Sequence, residues 1–186
     1  TEVKFKHIAS GDFLDCLKSE KLKLFLQFLK DSDLYVHYSS LNILYWSLVD
    51  IVDSAIVNSE AARQLGPQFS NHLKNDLYKL SRLEIDSVIQ LFYKYKYPNI
   101  KNDSVLPFIE ELTSLFQDYI DTPEFHFGLE SLRQILKEAK KKGSLPFIQD
   151  EDDYILLNDL SQFYLRPIYL FKNSTHIFDN EDSISE

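Results

Sequence analysis

The sequence predicts an α-rich α/β domain. Three observations carry that expectation. Phenylalanine and tyrosine number 14 and 11 while glycine numbers 4, a balance that favours helices over a turn-rich sandwich. Long stretches repeat apolar residues at three- and four-residue spacing, as amphipathic helices do. Two short stretches alternate apolar and polar side chains, as half-buried strands do.

The elements follow in order. "EVKFKHI" (2–8) sets Val3 and Phe5 against Lys4 and Lys6, which predicts a strand with one wet face. "GDFLDCLKSEKLKLFLQFLKDS" predicts a helix with Leu14, Leu17, Leu22, Phe25, Leu26 and Leu29 as its apolar positions and a break at Ser19–Lys21. "DLYVHYS" (33–39) predicts a second strand, and the helix of residues 41–57 follows at once. Gly66–Pro67 is a strong breaker behind a loop with a short helical turn. Residues 69–96 read as one long helix that ends before Pro98.

Asp103 or Ser104 caps the next helix, 105–120, with Pro107 in its first turn. Thr122 caps a helix from Pro123 to Lys142. Its "KEAKKKG" end sets cations at the negative pole of the helix dipole and Gly143 at the stop. "EDDYILLNDLSQFYLRPIYLF" reads as a last helix begun by acids at its positive pole. The expected organisation is one domain over 1–172, with 69–142 as a helical insertion, and a polar acidic tail over 173–186.

The 186 residues suffice for one domain with a sizeable core. The formal net charge of −9 argues against a uniformly basic nucleic-acid surface but leaves room for a local basic groove. Cys16, the single cysteine, has no intramolecular disulfide partner and points to a reducing compartment. No apolar run reaches the roughly 18 residues of a membrane span, and no signal peptide is visible. A cytoplasmic protein with no membrane partner is expected. The chain contains no methionine, and its opening "TEVKFKHIAS" reads as the middle of a longer sequence.

Acids on apolar faces are the first functional signal. On a helical wheel of about 100° per residue, the 41–57 helix gathers Leu41, Leu44, Tyr45, Leu48, Val52, Ala55 and Ile56 on one broad face. The opposite side holds Ile43, Trp46 and Val57, with Asp50 and Asp53 between them. Residues i and i+3 share a face, so both carboxylates can meet one cation. A buried carboxylate is paired, metal-bound or protonated. The two acids therefore cap a neighbouring helix, pair with a lysine or arginine, or hold a metal. A helix covered on two sides also raises a homodimer contact through 41–57. Asp159, four residues from both Ile155 and Phe163, stands at the edge of another apolar stripe. His37 falls at the end of the second strand candidate, where sites gather in α/β sheets.

Familiar signatures are missing. The sequence has no GxGxxG, GxxxxGK[ST] or GxSxG, and no cysteine–histidine cluster for zinc. An oxygen-rich set of acids suits Mg²⁺ or Mn²⁺ better. "YKYKYP" mixes lysine with tyrosine. Its aromatics, with Trp46, Tyr93, Tyr95 and Tyr97 as candidates, can stack bases, or the stretch is a helix end with snorkelling lysines.

The phrases "EVKFKHIASGDFLDCL", "VHYSSLNILYWSLVDIVDS", "YKYPNI", "LPFIQDEDDYILLNDLSQFYLRPI" and "FKNSTHIFDNE" together resemble a bacterial branch of the domain-of-unknown-function family 3800. The resemblance implies a ribonuclease-H-like mixed sheet with flanking helices and acids grouped at the sheet. Glu2 and Lys4 look like the family's Glu-x-Lys element, and His37 falls where a polar residue faces the site. Asp50 and Asp53 match this branch's aspartate helix, and Asp159 resembles the aspartate of the late helix. The family's opening acidic strand, similar to Asp-Glu-Ser-Gly, has no counterpart here, so the resemblance implies either a fold incomplete at the N-terminus or an incomplete site.

Two functional expectations follow. The first is a metal-dependent nuclease acting on phosphodiesters of RNA or DNA. Glu2, Asp50, Asp53 and Asp159 would hold Mg²⁺ or Mn²⁺, and Lys4 and His37 would stabilise charge or move a proton. The second is a non-catalytic helical interaction or sensor module of a bacterial defence system.

Overall fold

The computed structural model describes residues 4–157 and 161–177. Among them there is no strand, which overturns the α/β expectation and the ribonuclease-H-like mixed sheet with it. Phe5–His7, inside the first strand candidate, form a 3-10 turn, and residues 34–42 take no helix, turn or strand. The physical reason is that alternation over a few residues is a weak signal. A strand also needs a ladder to join, and nothing local specifies one. The stretch 69–142 is accordingly no insertion into a sheet.

The chain divides into two compact units, residues 1–40 and 41–186. In the first, α1 (Phe13–Lys18) and α2 (Glu20–Asp31) flank a single serine. Ser19 closes α1, and its hydroxyl accepts from Leu22 N at 3.3 Å to cap α2. The same hydroxyl donates to Ile8 O at 2.8 Å, which ties the opening turn to the helix pair. The expected break at Ser19–Lys21 is thus a shared cap. Ala9 is the one buried apolar residue among the described residues of this unit.

The second unit contains α3 (Ile43–Asn58), α4 (Glu60–Arg63), α5 (Gly66–Leu83), α6 (Ile85–Lys94), α7 (Val105–Ser114), α8 (His126–Lys142) and α9 (Ser161–Leu170). Helices α3, α5 and α8 pack on one another, α7 lies against α8, and α6 against α7. The core forms where their apolar stripes meet: Leu48, Ile51, Val52 and Ala55 of α3, Leu73, Leu77 and Leu80 of α5, Leu129, Leu132 and Leu136 of α8, and Phe108 of α7. Asn42 caps α3, accepting from Tyr45 N at 3.0 Å, and its amide donates to Tyr78 Oη at 2.7 Å. At the far end of α3, Asn58 donates to Ser144 O at 2.7 Å and Ser54 Oγ accepts from Phe147 N at 3.0 Å. These bonds fasten the loop after α8 to the central helix. Gly143 ends α8 in the left-handed region at φ 65°, as its position predicts.

Three further expectations are corrected. The single helix over 69–96 is broken at Glu84 (φ −110°, ψ 38°), where no glycine or proline warns of a bend. The Glu84 carboxylate accepts from Tyr119 Oη at 2.6 Å and from Ser87 Oγ, three residues on, at 3.3 Å, so one tertiary and one local bond hold the bend. The helix over 105–120 stops at Ser114, and the turns that follow bury Phe116 and Ile120. The acids of 150–153 begin no helix. Residues 150–157 form a turned loop, and the helix described after it is α9, Ser161–Leu170.

Candidate functional site

Asp50 and Asp53 stand together on α3, half-buried, as their spacing requires. Asp53 is paired: Lys74 of α5 lies 2.8 Å from Oδ1 and 2.9 Å from Oδ2, and Ser70 Oγ donates to Oδ1 at 3.4 Å. Packing of α5 on α3 brings Ser70 and Lys74, one helical turn apart, over the acid. Of the readings open in the sequence, pairing with a lysine is the one observed for Asp53. Asp50 has no hydrogen bond or ion pair among the described residues. Burial pushes its carboxyl above the usual range, repulsion from Asp53 and Glu151 adds to this, and Lys74 opposes it.

That arrangement has a sign. A carboxyl whose folded pKa lies above its unfolded one favours folding while protonated, and loses that contribution as pH rises through the folded value. Asp50→Asn should therefore raise the urea midpoint at pH 7, and the gain over wild type should shrink to nothing as pH falls below the carboxylate range. Trp46, the only tryptophan and a neighbour on α3, reports the transition.

The remaining expected site residues are distributed as follows. Glu2 and Asp159 lie outside the described residues. Lys4 and His37 belong to the first unit and are exposed, Lys4 heading the 3-10 turn and His37 lying in the irregular stretch 34–42. Among the described residues no three histidine, cysteine, aspartate or glutamate side chains group to hold a metal, and Lys74 already occupies Asp53.

The tyrosines of "YKYKYP" divide. Tyr95 and Tyr97 are buried, at 9% and 5% exposure, and are closed to bases. Tyr95 donates to Glu111 at 2.7 Å, and Tyr97 donates to Ser47 O. Burial holds the Tyr97 phenol well above its ordinary pKa, with Asp50 nearby as the second cause. Tyr93 alone of the three faces outward. The lysines of the stretch are neutralised in place: Lys94 pairs with Glu111, and Lys96 with Asp153 at 2.8 Å.

The feature that sequence reasoning missed lies beside them. A groove of about 470 Å³ runs between α3, α6 and the 150–157 loop, within the size range of binding clefts. Ile43, Ile89, Phe92, Tyr93, Tyr154 and Leu156 line it. Ile89 and Tyr93, four residues apart on α6, are 43% and 69% exposed, and Ile43 of α3 is 56% exposed. The loop wall is held from behind. Asp153 accepts from Asn99 Nδ2 at 2.9 Å and from Lys96 at 2.8 Å, and the Lys96 bond keeps its carboxyl below the usual range. Tyr154 takes a positive φ of 65°, costly for a tyrosine, and packs its ring 5.8 Å from Tyr93.

The rim is acidic. Asp86 at the start of α6, and Asp150, Glu151 and Asp152 before Tyr154, form no ion pair among the described residues. A surplus of apolar residues on α6 and the acid run "DEDD" were the available signals. Only folding brings Tyr154 and Leu156 against α6.

The second side of α3 is only partly covered within the chain: Ile43 and Val57 stay 56% and 41% exposed. Helices α5 and α8 both pack on α3, and Ile51 and Ser54 are fully buried. No helix among the described residues is long and apolar enough to cross a membrane. Fold and site together define a helical domain bearing an open apolar groove. No family model, curated protein or solved structure matches the chain.

Proposed function

We propose that the second unit is a non-catalytic protein-interaction module whose groove receives a basic amphipathic helix of a partner protein. The observation that carries this reading is an open apolar groove beside unpaired acids. A helix laid between α3 and α6 buries its apolar side against Ile43, Ile89 and Tyr154. Lysines and arginines on its flanks meet Asp86 and the 150–152 acids, and the net charge of −9 favours such a partner over nucleic acid. The pairing of Asp53 with Lys74 supports a structural role for the aspartate helix, because it fastens α3 to α5.

Two labelled model helices of equal hydrophobicity test this, one built from leucine and lysine and the other from leucine and glutamate. The Leu/Lys helix should bind saturably in fluorescence anisotropy and weaken as salt rises. Ile89→Lys, which removes apolar area and reverses charge at the groove, should lower its affinity at least about tenfold. Equal binding of the Leu/Glu helix, or unchanged binding to I89K, would overturn the proposal.

A further inference from the structure

The first unit poses a different problem. Phe13 and Leu17 of α1 and Leu24, Phe25, Leu26 and Phe28 of α2 are 40–76% exposed. At about 100° per residue, the apolar arc of α2 spans about 200°, interrupted only by Lys21. A helix packed on one neighbour needs little more than half of that. The six-residue α1 packs on α2 but leaves both of its apolar sides, Phe25–Leu26 and Leu24–Phe28, open.

Two quantities say what covers them. The six side chains leave on the order of 700 Å² exposed, taking about 150–250 Å² for an aromatic residue. A standard interface takes about 800 Å² from each partner. The charge is divided as well. Residues 1–40 hold six lysines and six acids, so the whole net charge of −9 belongs to residues 41–186. Two copies meeting through the second unit would repel, whereas two copies meeting through the first carry no net charge into the contact.

We propose that the α1–α2 pair is a homodimer interface, joined to the same surface of a second copy of this chain. The contact is isologous, so each apolar side chain serves twice. It is independent of the groove and of what the groove binds.

Light scattering coupled to size exclusion, run on the full chain from low to high micromolar concentration, tests the proposal. Wild type should move towards twice the chain mass as concentration rises. The double variant Leu24→Glu/Phe28→Glu should stay at the single-chain mass, with an unchanged unfolding midpoint by Trp46 fluorescence showing that the second unit is intact. A wild type that remains single at high concentration would overturn the proposal. So would a dimer that survives L24E/F28E, or one that I89K dissolves while L24E/F28E does not.

Discussion

Gly128→Ala should destabilise the second unit by about 3 kcal/mol, an overpacking cost at the upper end of its class. Gly128 stands in the first turn of α8, where the buried carboxylate of Asp76 from α5 presses on the helix backbone. An added methyl would meet Asp76 Oδ2 well inside contact distance, and the Cγ and Cβ of the same residue at 2.8 and 2.9 Å. Asp76 has little room to retreat. Its side chain is 4% exposed, and Lys79 and His72 hold it from one side, at 3.8 Å from Oδ1 and 3.2 Å from Oδ2. The His72 contact lacks hydrogen-bonding geometry, so Oδ2 is buried without a bonded partner, and burial pushes the carboxyl pKa up.

The test is a double-mutant cycle by urea unfolding. If the clash is with Asp76, Gly128→Ala in an Asp76→Ala background should cost less than alone, with a coupling of at least about 1 kcal/mol. Additive losses would place the strain elsewhere on α8.

Phe108→Ala should cost about 4 kcal/mol, the usual range for truncating a fully buried phenylalanine. The ring is 0% exposed on α7 and joins two others, meeting Tyr95 edge-on at 5.5 Å and lying nearly parallel to Tyr97 at 6.4 Å. Tyr97 in turn stacks on Phe92 at 4.2 Å, and both line the groove. The cavity would open directly beneath the binding surface. The urea midpoint should fall with its slope unchanged, and affinity for the Leu/Lys helix should fall with it. Phe108→Leu, which keeps most of the volume, should cost less than about 1.5 kcal/mol. Unaltered peptide binding in folded F108A would separate the groove from the aromatic stack.

Helices were legible wherever apolar spacing was long and a cap was present. α3 starts within two residues of its expected position because Asn42 is a strong cap, and α8 stops where Gly143 and its lysines say it should. The bend at Glu84 was not legible, because Tyr119, which holds it, lies 35 residues away in the sequence. The strands failed for a related reason. "DLYVHYS" has the side chains of a strand, but a ladder is a long-range fact, and the described residues provide none. At the site, the Asp50–Asp53 anomaly was visible on the helical wheel. Its answer, Lys74, lies 21 residues from Asp53, among ordinary surface-looking residues of α5. The groove was invisible because Ile43, Ile89 and Tyr154 come together only through folding.

The anchoring of Asp153 by Asn99 and Lys96 has a consequence for recognition. It immobilises the Tyr154 wall when the chain folds, so that wall has little conformational entropy left to lose when a ligand arrives. Such preorganised surfaces discriminate among ligands mainly through residence time, because the ordering cost falls on the incoming segment alone. A partner already helical in isolation would gain most from this wall. A disordered one would leave sooner, though both make the same contacts.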